Sequence, residues 1–459
     1  MGEIKGMSER ANDWMKEFPR GFQFGAATSS YQIEGAATEE GRGVSIWDTF
    51  SHTPGTIADG TNGDVACDHY HRFHEDIQLM HALHIGSYRF SVAWPRIIPQ
   101  GAGQINAQGL AFYDALVDDL LAHHIKPCVT LYHWDLPQPL QDRGGWMNPD
   151  TMKYFQEYVA IVSRSLGDRV THWITHNEPW CTAALGYFTG INAPGIRNAE
   201  AAIQVGHHVL YSHGLAVQTI RQQVPGAQVG LSLNLKGVYP ASDAEDTQSA
   251  ADYADIAFNR WFLDPLFKGQ YPEKLARVFQ VTPDVIPAWG FDVIGEPLDF
   301  LGVNYYASDR VKMADSPAVL PFESVPAARV TGMGWPVVPQ GLHDMLIRLR
   351  DEYTPLPIYI TENGAAYPDQ LEHGQVHDAD RVSYLSDHLH AVLAAMRRGV
   401  DVRGYYVWSL LDNFEWEWGY SRRFGIVYVD YSTQQRTVKD SGLWYRDQIA
   451  AFQTSQRDG

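Results

Sequence analysis

Cysteine is scarce in this 459-residue chain: Cys67, Cys128 and Cys181 are widely spaced and odd in number. That pattern excludes a disulfide framework and a Cys-x-x-Cys metal motif, and a reducing compartment is the simpler expectation. Long apolar runs are missing as well. The N-terminus, MGEIKGMSERANDWMKEFPR, has no apolar core of leader length, and nowhere does the chain reach the ~18 consecutive apolar residues of a membrane span. A cytoplasmic protein without an anchor is expected. Positive charge is in deficit, with 35 Lys and Arg against 54 Asp and Glu, and a net charge of −19 repels nucleic-acid phosphates and anionic lipids. Neither partner is expected, and the oligomeric state stays open. The segment FGAATSSYQIEG lacks the G-x-G-x-x-G spacing of a dinucleotide turn, and no serine sits in a G-x-S-x-G elbow.

Histidine clusters are present, but they lack the spacing of a metal site. His69, His71 and His74 do not fit a zincin helix, and neither they nor His207-His208 have an acidic partner that completes a known pattern. His69 to Glu75 instead open an amphipathic helix that continues through Ile77, Met80 and Leu83. No metal is expected.

Hydrophobic residues make up 45% of the chain and charged residues 19%, enough apolar side chains to bury a sizeable core. The aromatics, 14 Trp, 24 Tyr and 19 Phe, are conspicuous. Most must fill that core, and only those beside polar, turn-like segments are informative, because a flat ring suits the C–H face of a sugar.

Short β-branched or aromatic runs alternate with helical stretches, the signature of βα units. Eight runs can be placed, at 22–27, 86–91, 126–132, 171–177, 228–235, 299–305, 357–361 and 403–409. One helix shows the logic. Asn148 caps, Pro149 opens, and Tyr154, Phe155, Tyr158, Val159, Val162 and Leu166 recur at helical spacing before Gly167 ends it. Eight units favour closure into a single-domain (β/α)8 barrel over a doubly wound sheet. The chain divides into an N-terminal extension over 1–16, a barrel over 17–453 and a tail over 454–459. Long loops at about 28–80, 176–225 and 306–345 follow strand ends on the face where barrel active sites form.

Polar residues crowd those strand ends. Arg89 follows the second, His133 the third, Asn177 and Glu178 the fourth, Asn304 and Tyr306 the sixth, and Glu362 the seventh. Trp408 ends the eighth, with Glu415 and Trp416 just beyond. Core packing alone would place apolar side chains there. Two carboxylates on different strands are what glycoside hydrolysis requires, one to protonate the departing oxygen and one to attack the anomeric carbon or activate water. A gap of about 5–5.5 Å between them means retention and about 6.5–9.5 Å inversion. Arg89 and Tyr306 would stabilise the charged form of Glu362, whose charge would raise the proton affinity of Glu178. Glu362 therefore suits the nucleophile and Glu178 the acid and base.

These residues resemble glycoside hydrolase family 1, specifically its β-glucosidases. The resemblance runs from FPRGFQFGAATSSYQIEGA to RFGIVYVDY and includes THNEP, YITENGAA, YRFSVAWPRI, LYHWDLP and NFEWEWGYSRRFGIVYVD. It implies a retaining (β/α)8 enzyme with no metal or organic cofactor, acting on small β-glucosides and oligosaccharides such as those from cellulose. It also implies that Gln32, His133, Asn177, Glu415 and Trp416 hydrogen-bond the non-reducing sugar, that Asn304 and Tyr306 support Glu362, and that Trp408 forms the floor. Trp180 and Trp335 would flank the leaving group. Asn177 is the candidate for the 2-hydroxyl. A carboxylate at Glu415 favours unphosphorylated sugars, with Arg422 and Arg423 nearby arguing the other way. A 6-phospho-β-glycosidase, a transglycosidase and a non-catalytic sugar-binding protein stay open as alternatives, as does the choice among glucose, galactose and fucose.

Overall fold

The computed structural model describes residues 13–315 and 319–457. Eight parallel strands close into a barrel: β1 Gln23–Ala27, β2 Ser87–Ser91, β3 Lys126–Tyr132, β4 His172–Asn177, β5 Gln228–Asn234, β6 Phe300–Asn304, β7 Ile358–Asn363 and β8 Val402–Trp408. Each strand pairs with its chain neighbour, and β8 returns to β1 with Gln23 opposite Gly404 and Ala27 opposite Trp408. At least one helix separates successive strands, so the fold is the expected (β/α)8 barrel.

Strands buried on both faces create two cores. Inside the barrel lie Ala27, Cys128, Ile174, Phe300, Tyr359, Tyr406 and Trp408, and a larger shell packs between strands and helices. The large inner rings need small neighbours. A Cβ on Gly25 would fall 2.4 Å from the Tyr406 ring, and one on Gly230 would fall 2.4 Å from the Phe300 ring. In the outer shell, the helix Asp150–Leu166 points Phe155, Tyr158, Val159, Val162 and Leu166 inward, each fully buried. Removing one such ring by Phe155→Ala would cost about 3–5 kcal/mol. Asn148 accepts from Asp150 N at 3.0 Å and Gly167 caps the other end, as the sequence pattern predicts.

The structure departs from the sequence reading in several places, and the expected loop over 306–345 contains strands Ser308–Met313 and Phe322–Ser324 and the start of helix Pro339–Arg348. Half of the loop expected over 176–225 is a helix, Ala199–Gln223, buried around most of its circumference, with only a narrow half-exposed stripe of Gln204, Tyr211, Leu215 and Gln218. Strand β7 runs two residues further than expected, with a register slip between Ile360 and Glu362, and this places Glu362 on the strand itself. Within the expected N-terminal extension, Asp13–Glu17 form a 3-10 turn with Met15 fully buried, while residues 1–12 lie outside the described residues, as do 458–459 of the expected tail. Among the described residues no helix is long and apolar enough to cross a membrane.

Candidate active site

The C-terminal ends of the strands open into a cavity of about 390 Å³. Glu178 and Glu362 both line it, together with His133, Asn304, Tyr306, Trp180, Trp335, Trp408, Glu415 and Trp416. Arg89, Asn177 and Gln32 stand behind that lining, almost wholly buried.

Glu362 is held from two sides. Arg89 Nη1 donates to its Oε1 at 2.7 Å, and the Tyr306 hydroxyl donates to its Oε2 at 2.6 Å. The same guanidinium donates through Nη2 to Asn177 Oδ1 at 2.6 Å and through Nε to Thr130 Oγ1 at 3.1 Å, which fixes its plane. Glu178 leaves β4 in the left-handed region, at φ +47°, while its N–H donates to Ser232 O on β5 at 2.8 Å. That conformation costs a non-glycine residue about 1–2 kcal/mol and turns the side chain into the cavity.

Asn304 holds Glu178. Its Oδ1 accepts from Thr361 Oγ1 at 2.7 Å, so its amide nitrogen must face Asn177 Oδ1 at 2.9 Å and Glu178 Oε1 at 2.8 Å. Both N–H groups of that amide are thereby used, so Asn304 bonds Glu178 rather than the Glu362 it was expected to support. Burial raises the pKa of both acids. At Glu362 the charge of Arg89 and the Tyr306 hydrogen bond oppose it. At Glu178 the burial is reinforced by the charge on Glu362, and its pKa is pushed up to about 8. One carboxyl is thus protonated at neutral pH beside another that is ion-paired.

The polar cradle follows from the same network. With both acceptor directions of Asn177 Oδ1 taken, its Nδ2 faces His133 Nε2 at 3.0 Å, so that ring nitrogen accepts and the proton sits on Nδ1. Burial and then the Arg89 charge hold His133 well below its ordinary pKa, and its buried Nδ1 has no partner among the described residues. Its ring lies nearly parallel to both Trp408 and Trp416, with centroids 5.9 Å away in each case. Gln32 accepts from Ser29 Oγ and donates to Asn413 Oδ1 and Phe414 O, reaching Glu415 only at 3.5 Å. Burial, then the charges of Glu417, Glu362 and Glu178, raise Glu415 well above the usual carboxylate range. Trp180 anchors its Nε1 on Ala257 O at 2.8 Å, and Trp335 packs against Tyr306 and Phe424.

Sequence reasoning passed over several lining residues: Cys181, Asn234, Lys236, Phe258 and Glu417. Cys181 lies three positions after Glu178 and Glu417 two after Glu415, so adjacency to the acids was the available signal. The histidines set aside earlier have other partners: His69 bonds Asp76, His71 bonds Asp68, His74 bonds Asp119, His207 faces Tyr271 and His208 bonds Trp146 O. Among the described residues no group of three or more His, Cys, Asp or Glu is arranged around a metal position.

Comparison with known proteins agrees with this geometry. The profile of Glycosyl hydrolase family 1 matches residues 14–453. Beta-glucosidase A of Acetivibrio thermocellus is 47% identical over 94% of this chain and 98% of its own. A bifunctional beta-D-glucosidase/beta-D-fucosidase of Bifidobacterium breve is 45% identical, over 94% and 98%. The solved beta-glucosidase from Thermotoga maritima in complex with glucoimidazole superposes with a TM-score of 0.92 at 45% identity, covering 95% of this chain and 99% of that one. On the profile match and on identity sustained across almost the full length of its relatives, the chain belongs to glycosyl hydrolase family 1.

Proposed function

We infer that the protein is a retaining β-glucosidase that releases terminal β-glucosyl residues from small glucosides, with Glu178 as acid and base and Glu362 as nucleophile. The observation that carries these roles is the pair of carboxyls lining one cavity, Glu362 ion-paired with Arg89 and Glu178 kept protonated by burial and by the charge on Glu362. In the first step a Glu362 oxygen bonds to the anomeric carbon while the bond to the leaving oxygen breaks, and the Glu178 proton passes to that oxygen. In the second, Glu178 takes a proton from water as the water oxygen displaces Glu362.

Around that centre, Asn304 and Tyr306 hold the carboxylates, and the Trp408 and Trp416 rings cover the sugar. His133 Nδ1, Asn177, Gln32 and Glu415 hydrogen-bond its hydroxyls. The sugar-like inhibitor bound by the Thermotoga maritima relative supports a small glycoside as substrate. Trp180 and Trp335 flank the aglycone. A cytoplasmic setting fits three free, buried thiols.

Nuclear magnetic resonance of a hydrolysis in progress tests the reading. β-Glucose is expected as the first sugar released, and α-glucose would overturn the retaining mechanism. Full turnover by Glu178→Gln or Glu362→Gln would remove that residue from its role.

A further inference from the structure

Cys181 opens the π-helical segment Cys181–Thr189 just after β4, and its thiol lines the cavity. Sγ lies 3.1 Å from Glu178 Oε2, within donor range for sulfur. From the other side, Asn234 at the end of β5 offers its Nδ2 to the same sulfur at 3.6 Å. A donor directed at the sulfur leaves the S–H free to point at the carboxyl.

The two oxygens of Glu178 are therefore unlike. Oε1 faces the Asn304 amide, which can only donate in this orientation. The amide N–H is a stronger donor than a thiol S–H, so the acid proton favours Oε2, the oxygen that Cys181 touches. We propose that Cys181 is a positioning residue for the acid/base Glu178: its S–H occupies one lone-pair direction of Oε2, so the transferable proton takes the remaining direction, toward the leaving oxygen. The inference rests on Glu178 being the acid/base.

Burial keeps the thiol protonated far above neutral pH, so it acts as a neutral donor throughout. A donor bonds the carboxylate more strongly than the acid, and Cys181 accordingly lowers the Glu178 pKa against the burial that raises it. The other charged or titratable groups around this carboxyl are Glu362 on β7, Arg89 on β2, His133 after β3, Tyr306 after β6, Lys236 after β5, and Glu415 and Glu417 after β8. Substitution at 181 leaves all of them in place, so a change in titration reports the thiol contact.

The experiment compares Cys181→Ala and Cys181→Ser with the parent and with Glu178→Gln, all checked for folding by melting temperature. Probes are 2,4-dinitrophenyl β-glucoside, whose leaving group needs no proton, and methyl β-glucoside, whose leaving group does. In Cys181→Ala the alkaline limb of kcat/KM on methyl glucoside should move up by about half a pH unit, the scale of one weak neutral hydrogen bond. The rate on methyl glucoside should fall several-fold, the rate on the dinitrophenyl probe should hold within about twofold, and Cys181→Ser should restore the parent limb. An unmoved limb in Cys181→Ala, equal losses on both probes, or a serine variant indistinguishable from alanine would overturn the proposal. Methyl glucoside turnover undiminished in Glu178→Gln would instead overturn the acid/base assignment beneath it.

Discussion

The Arg89 guanidinium and the Glu362 carboxylate meet at 2.7 Å with side chains only 1% and 4% exposed. An ion pair so buried has little solvent to screen it, and each partner depends on the other for compensation. Arg89 also donates to Asn177, so a single cation orders a charged acid and a neutral amide from different strands.

Arg89→Met should leave Glu362 with a buried charge and no counterion. The acidic limb of kcat/KM is expected to move to higher pH, kcat/KM to fall by at least about 100-fold, and stability in urea to drop by about 3–5 kcal/mol. Arg89→Lys should fall between, because an ammonium cannot hold Glu362, Asn177 and Thr130 with one planar group.

Glu178 acts as an acid only while protonated. Activity on substrates with poor leaving groups should decline as pH rises through about 8, and a pH profile of kcat/KM reads that limb directly. A limb near the ordinary carboxylate value of 4.5 would contradict the burial and Glu362 charge that raise it.

The same shift has a stability counterpart. The folded-state pKa of Glu178 is raised, so unfolding releases a proton between the unfolded value near 4.5 and the folded value near 8, and the contribution to stability that is full below 4.5 is lost as pH rises through that window. Glu178→Gln removes the dependence. At pH 7 it should melt higher than the parent, and the difference should vanish as pH falls below about 4.5, with thermal melts across pH as the check.

Asn177→Ala should lower kcat by about 30–100-fold with little change in KM, because the 2-hydroxyl contact strengthens as positive charge develops at the neighbouring carbon. Steady-state kinetics on an aryl glucoside separate the two parameters, and an unchanged kcat would exclude the assignment.

Paired p-nitrophenyl glucoside and its 6-phosphate should differ by at least about 100-fold in kcat/KM, in favour of the free sugar. Glu415 faces the cavity, whereas Arg423 is held by Asp412 at 2.7 Å and Arg422 stacks on Trp418. Preference for the phosphate would show that Arg422 turns inward.

Much of this was legible from residues alone. The eight strands announced themselves because parallel strands buried on both faces need uninterrupted β-branched and aromatic runs, as in 126–132. The two glutamates stood out because carboxylates at strand ends have no packing rationale. Cys181 did not, since a single small residue in an apolar stretch looks like core, and its meaning comes from an Asn on β5 and an acid three positions earlier. The helix Ala199–Gln223 was hidden for a related reason: burial on most sides narrows the polar stripe that marks a surface helix.

Because the barrel seals β8 against β1, and Glu178 and Glu362 belong to separate halves of the chain, severing the polypeptide between β4 and β5 would partition the machinery. The first fragment would carry Glu178 with Arg89 and Asn177, the second Glu362 with Asn304 and Tyr306, and neither has a complete reaction centre. Sugar release from mixed fragments would then report that two half-barrels had found each other and joined edges, making catalysis a readout of assembly.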